Sequence, residues 1–410
     1  MNIAFIVRSF PVLSETFIIN QITGLIDRGY KVDVYAEEQG DIHNVHPDVL
    51  KYRLLDYTYY MPSISPNLLT RLRDGIKILT TNFWQDPKKI GQSLNILKYG
   101  SPALSLWLLY TAIPQFKKQY DIIHCQFGTS CFRGMAFQTM NAPNAKLLTI
   151  FRGDDISRFV KEKGDRIYNQ LFETGDFFLA NCEYFKSRVI QLGCDKSKIK
   201  VHRSGLDCNK FAFTPRYFPA DERVKIVTTG RLVEKKGIEY SIRAFNKVAK
   251  THPNLEYNII GDGPLREHLQ QLIQELGDSQ KINLLGWKNE EEIIKILNQS
   301  HIFVAPSVTA ADGNQDAPVN VLKEAMALGL PVISTYHGGI PELVEDSISG
   351  FLVSEKDADA LAEKLNYLIE HPDLWEKMGR AGRHCVENYY NLDNLNNQLV
   401  QIYQQLLNTV

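Results

Sequence analysis

The chain has 410 residues, 44% hydrophobic and 23% charged, with a net charge of −1, the composition of an ordinary globular protein of two or three domains at roughly 100–200 residues each. Its six cysteines fall at irregular intervals with no CxxC pair, which leaves no basis for a zinc cage or a disulfide framework and points to reduced thiols. The apolar run before Arg8 is too short for a signal peptide and no stretch nears the roughly 18 apolar residues of a membrane span, so a cytoplasmic chain is expected. Residues 1–210 carry 27 Lys and Arg against 20 Asp and Glu, and the remainder 19 against 27. A basic front half suits an anionic membrane surface or a phosphate-bearing acceptor, chance scatter being the plain alternative; no nucleic-acid partner is expected.

From the N-terminus onward, short β-branched runs alternate with amphipathic stretches. NIAFIV precedes a helix over 17–28, and KVDVYA, DIIHCQ and KLLTIF follow. KIVTTG then precedes a helix over 237–250, LEYNIIG one over 264–276, HIFVAP follows one over 289–299, and LPVIST follows one over 319–328. Near-continuous apolar strands separated by helices belong to parallel sheets covered on both faces. The pattern occurs twice, on either side of the Pro-bearing, aperiodic segment 205–225. The expected fold is therefore α/β, with two Rossmann-like parallel-sheet domains facing a cleft. Residues 1–212 form the first, 213–386 the second, and 387–410 a helix returning toward the first. Residues 66–116 break the rhythm with helical stretches carrying Arg71, Arg73, Lys77, Lys88, Lys89 and Lys98, with Trp84 and Trp107 nearby. An insertion packed on the first domain is the expected reading. A basic amphipathic helix at a lipid headgroup layer is the alternative.

In doubly wound sheets ligands bind beyond the carboxyl ends of the strands. After KIVTTG stand Arg231, Lys235 and Lys236, cations that together could hold phosphate oxygens; a solvated turn is the plain alternative, which suits Glu234 and Lys235 better than Arg231 and Lys236. After LEYNIIG, Gly261 and Gly263 in GDGP would let the backbone approach a nucleotide. After LPVIST, Gly338 and Gly339 would open a helix and offer N–H groups to an anion. In DGNQDAPVNVLKEAMALGLPVIST, Pro318 suits a first helical turn, with Asp316 just before it and Glu324 about two turns in. Asp316 as a helix cap and Glu324 on a solvated face is the plain reading. The apolar run after Glu324 fits that poorly. Two carboxylates flanking a helix start can accept from the hydroxyls of a sugar and a ribose while backbone N–H groups between them face phosphate, which reads as a sugar nucleotide site.

GRLVEKKGIEYSIRAF, IIGDGPLREHL, LGW, VAPS, DAPVNVLKEAMALGLPVIST and GGIPELVEDSISGFLV, in that order over residues 226–353, resemble the C-terminal half of the retaining group-one (family 4) glycosyltransferases of GT-B fold. RSFPVLSETFIINQI, DIIHCQFG and GLDCNKF are similar to the exopolysaccharide branch of that family, the colanic acid and amylovoran type. The resemblance implies retaining transfer of a hexosyl group from a nucleoside diphosphate sugar to a hydroxyl of a saccharide or lipid-linked saccharide. It implies no metal and no cofactor, and a place in the cytoplasm or at the inner face of the membrane. By motif, Arg231 and Lys236 would hold the diphosphate, Glu324 the ribose and Asp316 the sugar hydroxyls. Gly261, Gly263, Asn320, Val321, Gly338 and Gly339 would line the donor. Ser14, Glu15, Thr16 and Phe17 would sit over the cleft near donor and acceptor, and His124 matches the strand-end histidine of the family's IHxH pattern. Without the resemblance, Ser14 and Glu15 read as a helix N-terminus and His124 as a core side chain.

Three positions depart from the family pattern. Asp316 stands where glutamate is usual, Gln126 replaces the second histidine of HxH, and Arg152 with Gly153 replaces HG. Arginine stays protonated, so no neutral base is available at 152. If the acceptor attacks the face from which phosphate departs, a phosphate oxygen can take its proton and electrostatic help is the main demand. Arg152 would then stabilise the leaving group or bind an anionic acceptor. The competing classes are a sugar nucleotide 2-epimerase and a sugar nucleotide-binding protein with little or no transfer. A dinucleotide dehydrogenase is disfavoured because no GxGxxG follows the first strand.

Overall fold

The computed structural model describes residues 1–43, 45–84, 86–112, 118–316 and 319–408. The N-terminal lobe is built on seven strands: β1 Asn2–Phe10, β2 Lys31–Gln39, β3 Thr58–Tyr60, β4 Ile122–Cys125, β5 Lys146–Phe151, β6 Phe177–Ala180 and β7 Ile199–Val201. They run parallel in the order β3-β2-β1-β4-β5-β6-β7. The second lobe has six: β8 Val224–Thr229, β9 Leu255–Ile260, β10 Ile282–Gly286, β11 Ile302–Ala305, β12 Val332–Thr335 and β13 Gly350–Val353. Their order is β10-β9-β8-β11-β12-β13, again all parallel.

Period-two side-chain alternation explains why the central strands read as continuous apolar runs. On β1, Ala4 and Ile6 enter one core with Tyr35, Phe137 and Phe151, while Ile3, Phe5 and Val7 enter another with Val34, Ile122 and Leu148. Strands β8, β9, β11 and β12 divide their side chains between two cores in the same way. Four of the five strands that the apolar runs do not single out, β3, β7, β10 and β13, lie at sheet edges. They are short, and an edge strand with a half-exposed face need not be apolar throughout.

Two chain crossings join the lobes side by side. Leu206 donates its N–H to the Tyr390 carbonyl (2.7 Å) and Leu392 donates to Leu206 (3.0 Å). Beyond the second crossing, the helix Leu392–Asn408 lies on the N-terminal lobe, where Leu399, Ile402 and Tyr403 join the core of Ile3 and Phe5. Arg28 fastens its start, pairing with Asp393 at 2.5 Å.

In the insertion, the helix Leu68–Asn82 forms as expected, capped by the Asn67 side chain. The rest of the insertion breaks into the short helices Pro87–Ser93, Ile96–Tyr99, Ser101–Leu104 and Trp107–Ala112. Gly100, at φ 58, and Pro102 supply the break between the middle two. Residues 113–116 of the expected insertion lie outside the described residues, as does Pro318. The helix predicted over 319–328 is Asn320–Ala327, with Val319 at its N-cap.

Candidate active site

The loop after β8 contains Arg231 and a single 3-10 turn, Glu234–Lys236, ended by Gly237 in the left-handed region at φ 61. A Cβ at Gly237 would lie 1.9 Å from the Pro306 carbonyl oxygen, so only glycine lets this turn press against the loop after β11. Val308 donates its N–H to the Lys235 carbonyl (2.9 Å), fixing the approach. The consequence is a buried charge cluster: Asp316 sits 3.0 Å from Lys235 Nζ and 2.6 Å from Lys236 Nζ, with Ser307 Oγ donating to its Oδ2 at 3.3 Å. Burial pushes the Asp316 carboxyl pKa up, but Lys236 and Lys235 outweigh burial and hold it well below the usual carboxylate range. Burial lowers the Lys236 pKa despite Asp316, with Lys235 and Arg231 adding like-charge repulsion. Lys235, for which the sequence leaves a solvated turn open, is therefore a direct partner of Asp316.

A second layer holds Asp316 from behind. Its backbone N–H donates to His337 Nε2 (2.9 Å), and His337 Nδ1 meets Glu355 Oε1 at 2.6 Å, an arrangement that suits a neutral histidine carrying its proton on Nδ1. Gly338, at φ 50, leaves room for this: a Cβ there would be 2.2 Å from the Asp316 carbonyl oxygen. Gly338 and Gly339 precede only the one-turn 3-10 helix Ile340–Glu342, not the full helix expected, so the argument for an anion at a helix N-terminus fails there. At Gly261 and Gly263, Cβ atoms would lie 1.9 Å from the Gly230 oxygen and 2.6 Å from the Leu232 oxygen. Their lack of side chains lets the loop after β9 clamp the Arg231 loop.

Glu324 is half-buried about one turn along the helix Asn320–Ala327, with Asn320 and Val321 half-buried in the first turn. Burial, reinforced by Glu290 and opposed by Lys323, pushes its carboxyl up to about 7. Among the described residues its carboxylate has no hydrogen-bond or ion-pair partner. A solvated face and a simple salt bridge are both set aside. Asp316 is not a helix cap either, because Val319 holds that position.

Across the cleft, Ser14 and Glu15 end a 3-10 turn and Thr16 and Phe17 begin the helix Thr16–Asp27. Burial raises the Glu15 carboxyl to about 7 against the pull of Arg152, Arg231 and Arg8. Arg231 thus lies within electrostatic reach of the opposite lobe. Arg152, at the end of β5, is buried over the Phe17 ring (4.3 Å). It donates to Gln126 Oε1 (2.9 Å), Ser204 Oγ (2.9 Å) and Gln21 Oε1 (3.4 Å). Among the described residues no carboxylate pairs with it, and burial lowers its pKa to about 10. Two of the three departures from the family pattern, Gln126 and Arg152, are therefore in direct contact. Lys323, also buried, donates to the Ser204 carbonyl at 2.8 Å; burial pushes its pKa down to about 7.

His124 does not reach the cleft. It is fully enclosed, with Nδ1 2.6 Å from the Tyr403 hydroxyl and its ring 5.0 Å from that of Phe5. Burial drives its pKa well below the ordinary value. Its expected catalytic contact is replaced by a core role under the C-terminal helix. Sequence reasoning also missed residues that lock the lobes together. Arg188 Nη1 (2.7 Å) and Tyr184 OH (3.2 Å) donate to Gln315 Oε1, next to Asp316, and Glu342 accepts from the backbone N–H groups of Glu183 and Tyr184. No motif marks such pairs, because their partners lie more than a hundred residues away.

The family model for glycosyltransferase family 4 matches residues 14–210, and the model for group 1 glycosyl transferases matches residues 211–385. WcaL of Escherichia coli K12, provisionally named a colanic acid biosynthesis glycosyltransferase, is 34% identical over 99% of this chain and 100% of its own. The amylovoran biosynthesis glycosyltransferase AmsK of Erwinia amylovora is 34% identical over 99% and 100%. Among solved structures, a glycosyltransferase from Rickettsia africae aligns with a TM-score of 0.71 at 22% identity, covering 100% of this chain and 99% of that one. HepE of Anabaena, solved in complex with UDP-glucose, aligns at 0.73 with 18% identity, covering 99% and 100%. The chain belongs to the group 1, family 4 glycosyltransferases, enzymes of GT-B fold.

Proposed function

We propose that the chain moves a hexosyl group, with retention, from a nucleoside diphosphate sugar to a hydroxyl of a saccharide or lipid-linked saccharide in exopolysaccharide or cell-surface glycan assembly. The observation that carries this is the charge cluster in which Arg231, Lys235 and Lys236 outnumber Asp316 at the strand ends of the second lobe. Its excess positive charge suits a pyrophosphate leaving group, and it would supply the stabilisation that a metal ion supplies elsewhere. Donor binding would loosen the lysines from Asp316, freeing its carboxylate for sugar hydroxyls, while Glu324 takes the ribose. The relatives named for colanic acid and amylovoran biosynthesis support the pathway class, and UDP-glucose in the HepE complex supports the donor class.

Arg152 is assigned electrostatic help to the departing phosphate or to an anionic acceptor. Replacing Arg152 by a methionine of similar length relieves the cost of a buried cation and leaves the acceptors on Gln126 and Ser204 unpaired, so the two effects offset each other. Arg152→Met is therefore expected to stay within about 1 kcal/mol of the wild type in denaturant unfolding while transfer falls at least about tenfold, the effect of losing one charge contact in the transition state. Unchanged transfer and unchanged diphosphate affinity would remove the role.

A second reading, a sugar nucleotide-binding protein with little transfer, takes its support from the fixed cation at 152 and from Asp316 neutralised between two lysines. Thermal unfolding with a panel of UDP-, GDP- and ADP-sugars, followed by transfer and donor-hydrolysis assays, separates the readings, because a ligand of the native state raises its apparent stability. Protection with neither transfer nor hydrolysis favours the binding protein. Release of a free epimer favours the epimerase, and no protection by any sugar nucleotide overturns the donor assignment.

A further inference from the structure

The insertion in the N-terminal lobe is apolar on the outside. Nine of the twenty large hydrophobic side chains exposed among the described residues fall within residues 68–104, including Leu69 at 78% exposure and Trp84 at 86%. The helix Leu68–Asn82 buries only Gly75. Its inward face rests on Ile90 and Leu109 through Ile78 and Leu79, and Tyr110 donates its hydroxyl to the Arg71 carbonyl at 2.8 Å. The helix is thus anchored, and its outer face is a separate matter. On a 3.6-residue helix Leu68, Leu72, Ile76 and Leu69 share an arc of about 100°, and Arg73 and Lys77 border it on one side. Phe83 and Trp84 extend the apolar surface beyond the last turn, their rings edge-to-face at 5.6 Å. The described part of the insertion carries Arg71, Arg73, Lys77, Lys88, Lys89 and Lys98 against Asp74 and Asp86. Trp107, the other tryptophan expected near lipid, is half-buried against Ala103, Leu108, Ala136 and Met140 and takes no part.

We propose that this face lies in the headgroup layer of an anionic bilayer leaflet, with Leu68, Leu69, Leu72, Ile76, Phe83 and Trp84 entering the acyl boundary and the bordering cations meeting lipid phosphates. An apolar stripe edged by Lys and Arg, with an exposed Trp at its end, is the composition that interfacial helices use. A second copy of the chain fits the face less well, since self-association would press two net-positive surfaces together, whereas anionic headgroups complement them. No described helix is long and apolar enough to cross a membrane, so the contact is with the surface. The inference rests on exposure and charge and does not depend on the donor assignment.

The test is co-sedimentation of the full-length chain, without sugar nucleotide, with vesicles of phosphatidylcholine alone or equimolar in phosphatidylglycerol. The wild type is expected to sediment with the anionic vesicles and to be released by salt. Leu69→Gln/Leu72→Gln/Ile76→Gln should lower partitioning at least about tenfold, and Lys77→Ser about fivefold, with thermal midpoints unchanged because these side chains are already exposed. Wild-type protein that stays in the supernatant with both vesicle types overturns the proposal, as does a triple variant that sediments like the wild type. Lipid-free dimerisation that the triple variant abolishes, in a protein that ignores vesicles, assigns the face to a second copy instead. None of these outcomes bears on transfer, which the donor panel tests separately.

Discussion

Glu324, proposed above to take the ribose, shows how a buried carboxyl costs the fold that carries it. Its carboxyl titrates near 7 in the folded chain against an ordinary value of 4.5, because burial and Glu290 disfavour the charged form more than Lys323 favours it. The folded state therefore holds a proton that the unfolded state has released between those two values. Stability must fall as pH rises through that window, and the penalty is absent below it and complete above it. Glu324→Gln removes the titration. Urea unfolding should show the variant close to the wild type near pH 4 and more stable by about 1–3 kcal/mol near pH 8. A difference that does not change with pH would show that Glu324 is not held out of water as described. Acid at this position was legible in the sequence because an apolar run follows it. The environment that makes the acid expensive was not, since Glu290 precedes it by a loop, a helix and a strand.

Among elements, the helix Glu183–Gln191 of the N-terminal lobe is capped from the other lobe. Glu342 Oε2 and Oε1 accept from the N–H groups of Glu183 (2.9 Å) and Tyr184 (2.8 Å), and Arg203 lies 3.6 Å from Oε2. A carboxylate at a helix N-terminus satisfies orphan donors and complements the helix dipole; here it also closes the cleft. Glu342→Ala is expected to cost about 1–2 kcal/mol in unfolding free energy and to raise the radius of gyration in small-angle scattering, with Glu342→Gln intermediate in both. Loss of stability with unchanged scattering would mean that the lobes are held by other contacts, such as Gln315 with Arg188. The elements around the site were largely readable from alternating runs, whereas what the glycines pack against was not. The structure places main-chain oxygens where Cβ atoms of Gly237, Gly261 and Gly338 would lie, close approaches that no local motif marks.

For the whole molecule, the C-terminal helix Leu392–Asn408 is the piece of the second half of the chain that completes the first lobe. It covers Ile3 and Phe5 with Leu399, Ile402 and Tyr403, gives His124 its partner, and approaches Gly24 so closely that a Cβ there would meet the Asn396 side chain at 1.9 Å. A chain ending at Tyr390 should expose that apolar face and take the Tyr403 hydroxyl from His124, so aggregation, or a lower thermal midpoint with dye-binding apolar surface, is expected. A truncated protein as stable and soluble as the full chain would contradict this. The sequence by itself determined the two parallel sheets, the break between them and the family, because strand alternation and ordered local motifs are short-range properties of the chain. Only the tertiary structure decided that Lys235 binds Asp316, that His124 belongs to the core, that Gln126 and Arg152 touch, and that the insertion turns its apolar side outward. Each of these depends on which distant segment arrives beside a residue, and burial and partners, not residue type, then set its charge and its role.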